Sequence, residues 1–365
     1  MSVPSQAKRI LDLRGAAYDR GRLQAELCPD RVADVTVAVT RRLRELGPAL
    51  AEPKVIDWLD AQHAFTRDND PDGFVEVQGI AEGFGIAPDA LFACFFSDVI
   101  ADLAATPSLA DGCTAWAAPR AARTGGSVVV KNRDVRGNPG ELQGVFRHED
   151  PEWGGRRILC VSSLGCPGAF SSGINSNGLA VADTQVGTID HGEGWLRSFL
   201  MTRILRECTT VGEAVALVFR VPHAGGGTLV MGDASGAVAA IELGHGRIGA
   251  EEAGEPGFVA RTDHFVTDRL RGRDLAPQED LGARNSRARL STLEHGLRDM
   301  PSPFAPDAMR ALMSRHGDSA SAGLCRHDEK RNLATISCAI YDCRAPALDF
   351  SFGPPCEGPW ATIEP

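Results

Sequence analysis

Apolar positions recur along this chain at two different periods, and the change between them falls near residue 111. From Ile10 to Leu46 the sequence is rich in Arg, Ala, Leu and Val, and only Gly15, Gly21 and Pro29 signal turns. Val55 to Asp68 continues in the same texture. Glu76 to Phe96 keeps helical spacing, broken by Gly83-Phe84-Gly85 and Pro88. This pattern predicts several amphipathic helices joined by short turns. Beyond Asp111, short β-branched runs alternate with glycine-containing turns. Strands are expected at Ser127–Lys131, Arg157–Val161, Gly178–Ala182, Gly227–Met231, Gly236–Glu242 and Leu333–Tyr341. The first follows a turn at Arg123-Thr124-Gly125-Gly126, and Asp233-Ala234-Ser235-Gly236 reads as a hairpin turn. Among the strands, Leu196, Phe199, Leu200 and Ile204 share one helical face. Thr210 with Glu213 forms a capping-box signature for a second helix running to about Val218. Gly246–Gly257 and Arg269–Arg289 read as surface loops. The expected class is α+β, with helices covering β-sheet.

Composition narrows the function. The 365 residues suffice for one large unit or two ordinary domains. Acidic residues outnumber basic ones by 48 to 38, and no basic run occurs, so nucleic acid is a poor candidate partner. The most apolar stretch, Ala90–Ala105, carries Asp98 and Asp102 and is too short to span a bilayer, so no membrane partner is expected. The opening MSVPSQAKRILDLRG has no apolar core of a secretory leader, which suggests the cytoplasm. Ten cysteines then read as free thiols. No C-x-x-C occurs, and the closest pair, Cys338 and Cys343, has no neighbouring His. A structural zinc site is therefore not expected, and no motif implies a metal or an organic cofactor.

One cysteine stands apart. Gly112-Cys113 lies where helical texture gives way to strand texture. A glycine leaves its own carbonyl sterically open to attack by the following thiol. Cleavage there would make Cys113 an N-terminus, whose α-amine has a pKa of about 7.7–8.0 and can serve as general base. One residue would then supply nucleophile and base. The plainer reading of Gly-Cys alone is a buried cysteine at a strand start.

The surroundings favour the first reading. Leu13–Arg22, Ile80–Ile86, Asp111-Gly112-Cys113-Thr114, Asn132-Arg133-Asp134, Gly173–Ala180, Asp233–Gly236 and Leu324-Cys325-Arg326-His327 occur in an order that resembles the isopenicillin N acyltransferase-like proteins. These form peptidase family C45, within the N-terminal nucleophile hydrolases. The resemblance implies a four-layer αββα sandwich. It implies autocatalytic cleavage between Gly112 and Cys113, giving an α chain (1–112, mostly helical) and a β chain (113–365) that stay together as one unit. It also implies that an acyl group from a small amide or thioester, acyl-CoA included, passes through a Cys113 acyl-enzyme to water or to an acceptor, with natural-product metabolism as the expected setting.

Carried over residue by residue, the resemblance makes Asp134 the carboxylate beside the nucleophile. Lys131, where bile-salt-type amidases carry an Arg, Asn132, Thr114 and Arg326 become candidate substrate-binding residues. Arg261-Thr262-Asp263-His264 departs from the pattern. The family usually has Asn, an oxyanion donor, where this chain has Asp263, and an ionised Asp donates no hydrogen bond. Either Asp263 is kept protonated, or His264 or a backbone N–H replaces it, or catalysis is altered. The alternatives to the main reading are an amidohydrolase of N-acyl amino-acid conjugates and a non-catalytic relative with a binding role. Asn175 and Asn177 are expected to shape a turn.

Overall fold

The computed structural model describes residues 10–105, 112–119, 125–137, 141–253, 257–318, 321–328 and 332–365. Asp111, Glu329 and the Arg123-Thr124 part of the expected turn lie outside these residues.

The chain opens with strand β1 (Ile10–Arg14), followed by helices α1 (Ala17–Leu27), α2 (Val32–Leu46), α3 (Pro53–Asn69), α4 (Pro71–Phe84), α5 (Pro88–Phe95) and α6 (Ser97–Leu103). Next come β2 (Gly112–Ala118), β3 (Val128–Arg136), β4 (Gln143–Glu149), β5 (Arg157–Ser163), β6 (Ser172–Asn175) and β7 (Ala180–Thr184). Helices α7 (Arg197–Glu207) and α8 (Val211–Arg220) precede β8 (Thr228–Gly232), β9 (Val238–Leu243), β10 (Ile248–Glu252) and β11 (Val259–Arg261). After α9 (Leu281–Asp299) and α10 (Pro306–Met313) the chain closes with β12 (His327–Asp328), β13 (Leu333–Asp342), β14 (Ala347–Ser351) and β15 (Trp360–Ile363). Among the described residues, no helix is long and apolar enough to cross a membrane.

Two sheets result. The first has the order β1-β4-β5-β6-β7-β8-β9-β10. The second runs β11-β2-β3-β13-β14-β15, with β12 also paired to β13. Three apolar clusters stack them into layers. Between the sheets, Ala115, Ala117 and Val129 of the second meet Leu159, Ile174 and Val230 of the first. On the outer face of the first sheet, α1–α8 contribute residues such as Val35, Ile80, Phe96 and Leu200 to a cluster with Phe146, Val181 and Ile241. On the outer face of the second, Leu290, Leu293 and Leu297 of α9 and Leu312 of α10 cover Trp116, Val130 and Ile340. Both faces of each sheet are thus buried, which explains why β2 and β9 are buried along their whole length. The architecture is a four-layer αββα sandwich.

Three expectations are corrected. Ile10–Arg14 is a strand, with Leu11 and Leu13 alternating inward, and it runs parallel to β4. Arg269–Arg289 is not a surface loop throughout: its last part enters α9, where Ser286 and Arg289 are buried. The Gly246–Gly257 segment likewise contains β10, paired to β9. The capping box at Thr210 and Glu213 is present at the start of α8. The glycines near the chain start serve packing. A Cβ on Gly21 would strike the Glu76 carbonyl, and one on Gly79 the Tyr18 carbonyl, so α1 and α4 approach backbone to backbone.

Candidate active site

Strand β2 begins at Gly112-Cys113 and pairs antiparallel with β3, which sets Gly112 opposite Asp134 and Cys113 opposite Arg133. Side chains alternate across a strand. Ala115 and Ala117 point between the sheets, while Thr114 and Trp116 point towards α9 and α10. Cys113, on the Ala115 side, opens into a cavity of about 390 Å³ bounded by α2, α5, α6, the start of α7 and the 163–166 turn. Val35, Val39, Phe95, Leu164 and Phe170 give that cavity an apolar wall, and Lys131, Arg133, Asp134, Asp183 and Arg197 give it a polar one.

Polar groups converge on the Gly112–Cys113 junction. The Cys113 backbone N–H donates to Asp263 Oδ1 at 2.9 Å. Asp263 Oδ2 is paired with the Arg289 guanidinium, which also donates to the Cys113 carbonyl at 2.7 Å and to Thr114 Oγ1 at 2.6 Å. Asp134 accepts from Thr335 Oγ1 at 2.7 Å, and its other oxygen lies 3.5 Å from Arg326 Nη1. A Cβ at Gly112 would stand 2.7 Å from Arg326 Nη1, 3.1 Å from Asp134 Oδ2 and 3.4 Å from Asp263 Oδ2. No side chain fits there without displacing this cluster.

Electrostatics follow from burial. Burial pushes the Cys113 thiol up to about 12; Lys131 opposes the shift, and Asp183, Asp263 and Asp134 add to it. Burial also raises the Asp263 carboxyl, against the opposing pull of Arg289. Lys131 Nζ is paired with Asp183 and donates to the Ser171 carbonyl at 3.1 Å. Arg197 Nε donates to the second Asp183 oxygen at 2.6 Å. Burial alone would raise Asp183, but these two cations hold it below the usual carboxylate range. Arg133 is different. Its guanidinium donates to Ser163 Oγ at 3.0 Å and to Gln143 Oε1 at 3.3 Å, and no carboxylate pairs with it among the described residues.

The structure brings Cys113, Gly112, Asp134, Asp263, Lys131 and Arg326 together. It sends three other candidates elsewhere. His264 Nδ1 lies 2.8 Å from Ser286 Oγ, and burial pushes its imidazole down to about 4, so a neutral ring braces α9. Asn132 donates to the Met313 and Leu324 carbonyls at 2.8 and 2.9 Å, tying β3 to the end of α10. Thr114 faces Arg289 rather than the cavity. Asn175 caps its own turn, accepting from Asn177 and Leu179 N–H groups at 3.1 Å. Sequence reasoning missed Arg289, Arg133, Asp183, Arg197 and Thr335. Each acts through a partner distant in sequence. The cue for Arg289 was its place three residues after Ser286 and one before Leu290, on what is the buried face of α9.

The αββα stack thus holds a buried Gly-Cys junction at the head of β2, facing a cavity. The chain belongs to the family described as acyl-coenzyme A:6-aminopenicillanic acid acyl-transferase, whose model matches residues 121–357, from just after β2 to the last turn. Among solved structures it is similar to a mutant conjugated bile acid hydrolase from Clostridium perfringens, at 9% identity and a TM-score of 0.45, covering 69% of this chain and 97% of that one. It is also similar to a penicillin V acylase from Agrobacterium tumefaciens, at 14% identity and a TM-score of 0.39, covering 70% and 78%. No curated protein matches the sequence.

Proposed function

We propose that this protein cuts itself between Gly112 and Cys113 and then transfers acyl groups through the Cys113 sulfur. The observation that carries this is the convergence of Asp263, Asp134 and Arg326 on the Gly112–Cys113 junction, where any Cβ would crowd the Arg326 guanidinium, with the following thiol opening into a cavity. In the first step the thiol adds to the Gly112 carbonyl and the C–N bond breaks, leaving a thioester and a free Cys113 amine. Water then releases the Gly112 carboxylate and restores the thiol. In the second activity the new amine takes the thiol proton while sulfur attacks the acyl donor, and returns it to the leaving amine or thiol. Water or an amine acceptor then takes the acyl group.

Asp263 takes a role other than the oxyanion donation that the resemblance gives to Asn. Its carboxylate accepts from the Cys113 nitrogen and so orients the amine, and Arg289 neutralises it. It is not an oxyanion donor while so paired. The apolar wall and the size of the cavity suit a small hydrophobic acyl group. Acyl-CoA is one donor compatible with family membership.

Arg133 favours a second reading. A cavity-facing guanidinium held, among the described residues, by Ser163 and Gln143 suits a substrate carboxylate, as an N-acyl amino acid carries. The decisive experiment is denaturing intact-mass measurement of wild type beside Cys113→Ala. Fragments of 112 and 253 residues from wild type alone support the proposal, and an intact wild-type chain sinks it. Acyl-amide screens on the split protein, with and without a carboxylate on the leaving group, then separate the two substrate readings.

A further inference from the structure

A second convergence of reactive side chains lies outside the cavity. His316, Cys325, His327 and Cys356 each bring one ligand atom to within 4.8 Å of all the others. Cys325 Sγ is 3.5 Å from His327 Nε2 and 3.5 Å from Cys356 Sγ. His327 Nε2 is 3.3 Å from Cys356 Sγ. The rings of His316 and His327 cross edge to face with centroids 5.0 Å apart. Three segments supply the four. His316 follows α10, Cys325 and His327 flank Arg326 at the entry to β12, and Cys356 sits in the turn between β14 and β15.

The spacing can be compared with a known coordination sphere. Zinc lies about 2.3 Å from thiolate sulfur and about 2.0 Å from imidazole nitrogen, so the edges of a tetrahedral site measure roughly 3.3–3.8 Å. The three measured edges, 3.3, 3.5 and 3.5 Å, fall in that range. A thiol–imidazole hydrogen bond explains one such contact. It does not explain two thiols and two imidazoles crowding one point. We propose that His316, Cys325, His327 and Cys356 form a structural Cys₂His₂ zinc site. Two sulfur and two nitrogen donors in a tetrahedral set suit zinc among the common divalent ions. Four protein ligands leave no open position for water, so the ion is structural rather than catalytic. On binding, both thiols lose their protons to solvent and both histidines ligate as neutral rings. His316 and His327 are exposed and Cys356 is half-buried, so the ion enters from solvent.

The site has a consequence for the junction. Arg326 stands between two ligands. Its N–H donates to Thr335 Oγ1 at 2.8 Å, its carbonyl accepts from the Thr335 N–H at 2.9 Å, and its guanidinium reaches Asp134. Zinc clips this segment to the C-terminal turn and so fixes the backbone that delivers Arg326. The sequence argued against zinc because C-x-x-C is absent. Here a C-x-H pair is completed by His316, shortly before it, and by Cys356 in a later turn.

The test uses the full chain without a histidine tag, purified under reducing conditions with zinc chloride in the medium and then desalted. Elemental analysis is expected to give about one zinc per chain, falling below about a tenth of that in Cys356→Ser and in His316→Asn, while the remote Cys208→Ser keeps it. Removing zinc with a chelator and adding cobalt is expected to produce thiolate-to-cobalt charge-transfer bands. This reading on wild type stands even if the variants fail to fold. Three results would each overturn the proposal: folded wild type without stoichiometric zinc and without cobalt bands; zinc retained in Cys356→Ser; or a Cys325–Cys356 disulfide in the protein as purified.

Discussion

Cys113 donates its backbone N–H to Asp263 across 2.9 Å, although 150 positions separate the two residues in the chain. The contact gives the nitrogen at the Gly112–Cys113 junction a charged acceptor. Arg289, buried behind it, touches both residues.

A side chain at the junction has to push the Arg326 guanidinium aside. Gly112→Ala places a methyl group 2.7 Å from the Arg326 guanidinium and 3.1 Å from the Asp134 carboxylate. The expected outcome is a chain that folds but splits at least about tenfold more slowly, since about 1.4 kcal/mol of misplacement suffices for that factor. Time-resolved denaturing mass spectrometry reads it. Splitting at the wild-type rate would show that the convergence does not govern the cleavage.

Asp263 and Arg289 should behave as a pair. Removing one partner of a buried ion pair typically costs about 3–5 kcal/mol because a lone charge is left behind. Arg289→Met additionally strips a donor from the Cys113 carbonyl and from Thr114. Both Arg289→Met and Asp263→Asn are expected to lower stability by that order, and the double variant to recover part of the loss. Urea unfolding of the four proteins closes the cycle. Purely additive losses would mean that the pair is not coupled.

The thiol itself carries a signature of the unsplit state. With its pKa pushed up to about 12, Cys113 is almost wholly protonated at neutral pH. At pH 8 the thiolate is about one part in ten thousand, so unsplit chain should resist iodoacetamide, with a rate rising about tenfold per pH unit. Splitting creates an ammonium beside the sulfur, and Cys113 should then become the fastest-alkylating cysteine. Peptide mapping of short alkylation pulses measures this. Equal reactivity before and after splitting would contradict it.

A separate prediction concerns acid stability. Burial pushes the His148 imidazole down to about 3, with Arg20 adding to the shift. The folded state therefore keeps this ring neutral, while the unfolded chain protonates it near its ordinary value of about 6.5. The sign follows: above about pH 6.5 the group exerts no penalty, and as pH falls the unfolded state gains a proton the fold refuses. Relative to His148→Gln, wild type should lose about 1.4 kcal/mol per pH unit between about pH 6 and 4. Denaturant melts of both proteins across that range give the difference. A constant difference would show that the ring is protonated in the fold.

Much of the sheet was legible because β-branched runs such as Val128-Val129-Val130 have little alternative to a buried strand. The capping box at Thr210 was legible because both halves lie within one turn of helix. β1 was misread because five residues carry too few alternations to outweigh the helical texture that follows. α9 was partly missed because its buried face includes Ser286 and Arg289 beside the leucines, and so reads as polar. Cys113, Asp134 and Asp263 could be named from local motifs. Their partners Arg289 and Thr335 could not, since each becomes a neighbour only once α9 packs on the sheet or β13 pairs with β3.

Strand β1 lies before Gly112, yet its hydrogen-bonding neighbour is β4, which lies after it. The helices between them bury their faces on a sheet built almost wholly from the later part of the chain. A chain severed at Gly112 is therefore two covalent molecules woven into one body. Dilution alone would not part them, because neither has a complete interior without the other. They should melt in a single transition and, once melted apart, fail to find each other again as readily as an uncut chain refolds.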